Sequence, residues 1–253
     1  DGLPDGLIAV SRKGDIRKAW YILPTRRYGH GIMGDAIEAG GLYVETAKGE
    51  VLTLVLPDHF VFEDRYPRLA DLDGDGTTEI ITLLSVQKTG AAIALYRLAN
   101  GKIVKGPQTP PIGKANRWRN IAGIADYNGD GRLDIMEVAT PHGAGVLSLW
   151  HYDKAKGLER QKSVAGFANH FIGSRALELS ASIDIDGDGL DDLAIPDSDR
   201  TTLHLLSGKT LAPIARIPLP AKVSGNIETA TTKGKLLFLL PGKGGKTMLV
   251  TQK

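Results

Sequence analysis

The sequence reads as an all-β chain assembled from copies of one unit, on three grounds. A single loop design occurs three times, as "DLDGDGTTEIITLL" from Asp71, "DYNGDGRLDIMEVA" from Asp126 and "DIDGDGLDDLAIPD" from Asp184. The steps between copies, 55 and 58 residues, leave room for about four strands with generous loops. Elsewhere "AAIALYRL", "GVLSLWHYD", "TTLHLLSG", "KLLFLLP" and "TMLVTQK" are short apolar segments bounded by Gly, Pro, Asn or Asp, with no sustained helical period.

In chain order, "GLIAVSRKGDIRKAWYIL" is a hairpin turning at Lys13-Gly14-Asp15. "DAIEAGGLYVET" from Asp35 is a fainter copy of the loop and its strand, and "TTKGKLLFLLPG" from Thr231 is a shortened hairpin without the acids. Taking Asp35, Asp71, Asp126, Asp184 and Thr231 as equivalent gives steps of 36, 55, 58 and 47 residues; the passage from Thr231 through the C-terminus back to Asp35 is 57, a complete unit. The expectation is therefore one five-bladed β-propeller domain over residues 1–253. Its units lie near 28–63, 64–116, 117–174, 175–221 and 222–253 plus 1–27, so that N- and C-terminal strands close the last blade. A two-domain arrangement would need a linker, and the best candidate, "GPQTPPIG" from Gly106, lies inside a repeat.

Composition narrows the function classes. With 31 Lys and Arg against 29 Asp and Glu, the net charge of +2 supplies no general attraction to nucleic acid or anionic membrane. The absence of cysteine excludes disulfides, thiolate zinc sites and thiol nucleophiles. No segment approaches the roughly 20 apolar residues of a membrane span.

The acidic loops point to a hard cation. Oxygen ligands at alternate positions can wrap Ca²⁺, which takes six to eight oxygens at about 2.3–2.6 Å. The intervening glycines can adopt the positive φ that such wrapping needs. The candidate ligands are Asp71, Asp73, Asp75, the Thr77 carbonyl and Glu79; then Asp126, Asn128, Asp130, the Arg132 carbonyl and Asp134; then Asp184, Asp186, Asp188, the Leu190 carbonyl and Asp192. Up to three Ca²⁺ ions are expected. An EF-hand would require Glu at position 12 and flanking helices, whereas position 12 is Thr82, Glu137 or Ile195 and the flanks are strands.

The D-x-D-G-D-G-x-x-D pattern followed by a strand resembles the FG-GAP or VCBS repeat of integrin α-subunit propellers and many bacterial surface and secreted proteins, across about Tyr28 to Gly242. The resemblance implies a metal in the hairpin joining the two inner strands, bracing each blade. It also implies an extracytoplasmic setting, periplasmic, secreted or on the cell surface, and a bacterial source. Loops of this type in extracellular modules bind Ca²⁺ at about 10⁻⁴–10⁻³ M and would stay largely empty at cytosolic calcium levels.

A ligand site is expected on the opposite face. Nine residues before each reference position lie Arg26, Arg117, Arg175 and Lys222, and the second unit offers Arg65 and Arg68 nearby. Tyr28, His30, Tyr66, Trp118, His170 and Phe171 accompany them, with His142 and Asp197 on loops of the same face. Guanidinium forks take carboxylates, and aromatic faces stack on sugars, so an anionic glycan or a carboxylate-bearing protein partner fits this cationic mouth. The alternative is rim scaffolding, in which these arginines pair with Glu63, Asp64 and Glu178.

Enzyme readings are fewer. A polysaccharide lyase could use Tyr28, His30 or His142 as base and acid, with Arg26 or Arg117 neutralising a uronate. There is no G-x-S-x-G elbow, and "PGKGGKT" from Pro241 lacks the spacing of a phosphate loop. The sequence thus points to a calcium-binding, non-enzymatic binding or scaffold module of undetermined oligomeric state.

Overall fold

The structure, a computed structural model, describes residues 1–232 and 234–251; Lys233, within the shortened hairpin, and Gln252 and Lys253, expected to end the last strand, lie outside the described residues. The described chain is all-β, with twenty strands in four sheets and no helix. It divides into two compact units, the first made of Asp1–Trp118 and Tyr152–Glu159, the second of Arg119–His151 and the chain from Arg160 onward.

The first unit holds one nine-stranded sheet. The hairpin β1 (Ala9–Val10) and β2 (Ile16–Thr25) joins β3 (Glu38–Thr46) and β4 (Val51–Val55), while β6 (Arg68–Ala70), β7 (Glu79–Val86), β8 (Gly90–Ala99) and β9 (Lys102–Gln108) form a second antiparallel meander. The short β5 (Phe60–Phe62) stitches the two, pairing with β3 at Ala39↔Phe62 and with β7 from Phe60↔Val86. Burial follows sheet position. β7 and most of β8 are buried on both faces, whereas exposed and half-buried residues alternate along the outer β4. In the core between these strands Tyr21 stacks on Phe62 at a ring-centroid distance of 5.0 Å, and Phe62 meets Tyr96 edge to face at 5.6 Å.

Three further sheets follow: β10 (Arg119–Ala125) to β11 (Asp134–Ala139), β12 (Val146–Asp153) and β13 (Gly157–Ala165); β14 (Ala181–Ile183) to β15 (Asp192–Pro196), β16 (Thr202–Leu206) and β17 (Pro213–Pro218); and β18 (Glu228–Thr232), β19 (Lys235–Gly242) and β20 (Lys246–Thr251). Within the second unit Asn120 Nδ2 donates to the Leu177 carbonyl at 2.7 Å and Asn169 Nδ2 to the Ile121 carbonyl at 3.1 Å. Buried amides there serve backbone groups that the short strands leave over.

The N-terminal expectation needs correction. The turn at Lys13-Gly14-Asp15 forms, with Gly14 at φ 74°. However, β2 pairs with β3 from Ile16↔Thr46 to Thr25↔Glu38, and among the described residues β20 pairs only with β19. Among the described residues the first and last strands therefore do not pair, and the hairpin belongs to the first unit. The cause is burial. Ile16, Ala19 and Tyr21 of β2 are apolar and buried in the same core as Leu42 and Val44 of β3, so a neighbour in sequence offers this strand a complete partner.

Gly208 tests the packing of the second unit. A Cβ there would lie 2.0 Å from the Asp191 carbonyl oxygen and 2.5 Å from Tyr127 Cδ1. Neither obstacle is the end of a flexible chain, so Gly208→Ala should destabilise by about 1–3 kcal/mol in urea denaturation, the range for forced overpacking. A loss below about 0.5 kcal/mol would contradict this close approach.

Candidate functional site

All three acidic loops fall where the sequence places them, each joining the first two strands of its meander: β6–β7, β10–β11 and β14–β15. They share one contact. The first aspartate accepts the N–H of the glycine five residues on: Gly76 to Asp71 at 2.8 Å, Gly131 to Asp126 at 2.8 Å and Gly189 to Asp184 at 3.0 Å. Those glycines have φ of 86°, 84° and 88°, which L side chains rarely adopt. The remaining acids also brace the turn: Asp75 Oδ1 accepts from Thr77 N at 2.7 Å, Asp130 Oδ1 from Arg132 N at 2.9 Å and Asp188 Oδ1 from Leu190 N at 2.9 Å.

The loops differ in how they treat the ninth position. In the first, carboxylate oxygens of Asp71, Asp73 and Glu79 lie within 4.8 Å of one another. Glu79 is buried, its Oε2 accepting the Leu72 N–H at 2.9 Å, while its Oε1 has no hydrogen-bond partner among the described residues. Burial, followed by the charges of Asp73, Asp75 and Asp71, pushes the Glu79 carboxyl up to about 7. Lys154 partly neutralises this group, pairing with Asp73 at 3.2 Å and with Asp75. An orphaned carboxylate oxygen beside two more acids fits a divalent cation, whose charge would offset the burial and the repulsion that together raise Glu79.

The second loop is more self-contained. Asp134 pairs with His151 Nδ1 at 2.9 Å and accepts Asn128 Nδ2 at 3.3 Å. In the third, Asp184, Asp186 and Asp188 place oxygens within 4.8 Å of one another, but Asp192 already accepts Ile185 N and Gly208 N, both at 3.0 Å. The three loops are thus unequal sites, and the first has the clearest unmet need.

The cationic positions divide between the two units. In the first, Arg26 follows β2 instead of preceding a first strand and is exposed, as is Arg117, whose guanidinium returns to the Asn116 carbonyl at 2.9 Å. Arg65 Nε donates to the Asp5 carbonyl at 3.0 Å, and Arg68 pairs with the buried Asp64. Trp118 is buried and donates to the Glu63 carbonyl at 2.8 Å. In the second, His142 Nε2 lies 2.8 Å from His170 Nδ1, and His170 Nε2 lies 2.9 Å from the Ser174 carbonyl. Burial drives His170 down to about 4, so near neutral pH its Nε2–H donates to that carbonyl and its Nδ1 accepts from His142. Arg175 is exposed; Lys222 lines a cavity with Arg200, Lys243 and Lys246.

The sequence named Glu63 and Asp64 only as possible partners of rim arginines and missed the acid cluster that Glu63 forms with Glu38 in the first unit. Glu63, 0% exposed, receives His30 Nδ1 at 2.5 Å on Oε1 and the Ser85 hydroxyl on Oε2. Tyr28 stands edge-on to His30 at 6.1 Å, its buried hydroxyl without a hydrogen-bond partner among the described residues. Glu38, 1% exposed, is pushed up to about 10 by burial first and by the charges of Glu63, Asp35 and Asp64 next. Glu38 sits in "DAIEAGG" and Glu63 in "FVFEDR", and neither carries a motif. The visible signal was a charged residue at the edge of an apolar strand, which is equally the signature of a solvated strand end.

Comparison with known proteins adds family and fold. A family model of FG-GAP-like repeats matches residues 71–136, the span from the first acidic loop through the second. No curated protein sequence matches the chain. Among solved structures it is similar to the Dos1 propeller, at 12% identity and TM-score 0.52, over 96% of this chain and 56% of that one. It is also similar to Sqt1 of Saccharomyces cerevisiae, at 10% identity and TM-score 0.48, over 94% and 66%, and to the exotype rhamnogalacturonan lyase YesX, at 16% and 0.42, over 98% and 58%. The chain therefore spans little more than half of the Dos1 propeller chain, and at this identity that likeness is one of fold.

The Glu38 environment makes stability pH-dependent. Its carboxyl is raised in the folded protein from an ordinary value of 4.5 to about 10. The folded state therefore keeps a proton that the unfolded chain releases, and the stability this proton supplies is complete below the lower value and drains as pH rises toward the upper. Glu38→Gln should gain on the parent protein in unfolding free energy, measured by urea titration between about pH 5 and pH 9, by up to about 1.4 kcal/mol per pH unit. A difference that stays constant over that range would mean Glu38 is ionised in the fold.

Proposed function

We propose that this chain, a β-propeller fold carrying an FG-GAP-like repeat, is a calcium-braced, non-enzymatic binding module that works outside the cytoplasm on an anionic glycan or a carboxylate-bearing partner. The observation that carries the calcium part is the buried Glu79 Oε1, which lacks a partner among the described residues while Asp71 and Asp73 converge beside it. Bound there, Ca²⁺ would be held by Asp71, Asp73, Asp75, Glu79 and the Thr77 carbonyl, with the equivalent residues serving in the other two loops. It would supply positive charge and cross-link each first strand to the second.

The five-blade count belongs to the same proposal. It treats β1–β4, β6–β9, β10–β13, β14–β17 and β18–β20 as the five units, with β5 as a stitch. A lyase is the second reading, favoured by the approach of His30 to Glu63 beside Tyr28. It is the weaker one, because Glu63 and Tyr28 are buried and a catalytic base must come within about 2.6–3.2 Å of the substrate proton. Release of unsaturated, ultraviolet-absorbing products from uronate polymers, abolished by His30→Ala, would establish the lyase over the binder.

Calcium binding is testable directly. A cation that binds only the folded state stabilises it by about 2.7 kcal/mol per site at a hundredfold excess over its dissociation constant. EDTA should lower the melting temperature, calcium should restore it, and Glu79→Gln should reduce the measured stoichiometry. Lys154→Gln should tighten the first site, since its ammonium competes with the metal for Asp73 and Asp75. Melting indifferent to both chelator and calcium would end the calcium proposal.

A further inference from the structure

The second compact unit holds a cavity of about 570 Å³, within the range of small-molecule sites, lined by segments around Arg200, Lys222 and the β19–β20 turn. Arg200, Lys222, Lys243 and Lys246 line it together with the ring of Phe171, and no carboxylate does. The three lysines are exposed, and among the described residues none has an acidic partner. Four cations converge in a chain whose net charge is only +2, so the local field is far stronger than the composition implies.

The guanidinium is positioned by its backbone. Arg200 has φ 61°, a left-handed conformation that a non-glycine residue holds only when its surroundings impose it. Asp197 imposes it here, accepting Thr201 N at 2.9 Å and Thr202 N at 3.3 Å on its side chain and Arg200 N at 2.9 Å on its carbonyl. Val223 closes the frame: its N–H donates to the Arg200 carbonyl at 2.9 Å, and its carbonyl accepts Arg200 Nη1 at 3.2 Å. The guanidinium carbon then sits 4.4 Å from the Phe171 ring centroid. Lys243 N donates to the Lys222 carbonyl at 2.9 Å, which ties the lysine-bearing segments together. Across the turn, Gly244 and Gly245 have φ of 89° and 78°, and a Cβ on either would meet nothing within 4 Å, so the space above them is open. Burial pulls Arg200 below the usual guanidinium range without a carboxylate to offset it, a deficit that an incoming anion would relieve.

We propose that this cavity binds a small ring-bearing anion of up to disaccharide size, its carboxylate, sulfate or phosphate group held by the lysines and Arg200 and its ring placed against Phe171. The proposal deepens the binding-module reading and rests on it for the non-catalytic role alone.

Isothermal titration at low salt with digalacturonate, glucose 6-phosphate and glucose 6-sulfate tests it, with cellobiose as the neutral ring and inorganic phosphate as the bare anion. At least one ring anion should bind one to one, at least tenfold more tightly than cellobiose and than inorganic phosphate, and more weakly as salt rises. The double variant Lys222→Gln, Lys243→Gln should lose at least tenfold while melting like the parent, and Lys209→Gln, on an exposed turn of the same unit, should lose nothing. Failure of all three ring anions, equal binding of cellobiose or inorganic phosphate, or an equal loss in Lys209→Gln would each overturn the proposal. Repeating the titrations after chelation separates the two ideas: ring-anion binding in a protein whose melting ignores calcium removes the metal and keeps the cavity, and calcium-dependent melting without ring-anion binding does the reverse.

Discussion

Every acidic loop depends on one hydrogen-bonded closure, in which the first aspartate receives the N–H of a glycine five residues ahead. With that contact made at a positive φ, the chain reverses in a tight arc and enters its second strand in register with the first. Ala70↔Glu79, Ala125↔Asp134 and Ile183↔Asp192 are the resulting end pairs. The same arc forces carboxylates together. Closure and charge crowding are therefore one geometric fact, and the loops differ chiefly in what offsets the crowding. The first uses Lys154, the second substitutes Asn128 for an acid and adds His151, and the third spends backbone N–H groups on Asp192.

This closure also explains what the sequence could reveal. A device built from spacing is visible as spacing, so the loops and the strands that flank them were legible. Pairing between distant segments was not. The placement of β2 beside β3 depends on which neighbour buries Ile16, Ala19 and Tyr21, and no local pattern distinguishes that partner from a C-terminal strand. The surroundings of the individual cations were half legible for a related reason. Counting back nine residues found Lys222, and the scaffolding alternative foresaw an arginine on Asp64, which Arg68 supplies; neither could see that Arg65 turns to Asp5 or that Arg200 reaches Phe171 from another turn. "PGKGGKT" is informative in retrospect, as a glycine-opened turn lining a cationic cavity.

The acid cluster of the first unit obeys a different logic from the loops. There Glu63 is answered by His30 and Ser85, Asp64 by Arg68, and Glu38 by protonation. Buried carboxylates are tolerated when each finds a donor or a proton, as these do. Its residues hold the 57–66 segment against β3 and β7, which gives polar chemistry a structural part in an otherwise apolar layer within this unit.

The N-terminal hairpin touches the first acidic loop at Thr78: Asp15 Oδ1 accepts the N–H of Thr78 at 2.9 Å, and Gly14 lies so close to Thr78 that a Cβ would stand 2.1 Å from its hydroxyl. Thr78 directly precedes Glu79. Tension applied at the N-terminus would consequently be transmitted along the hairpin into the loop that carries the unpartnered Glu79 Oε1. In that sense the hairpin is a lever arm, and the rigidity of the loop sets how far the lever can move before β2 begins to peel from β3.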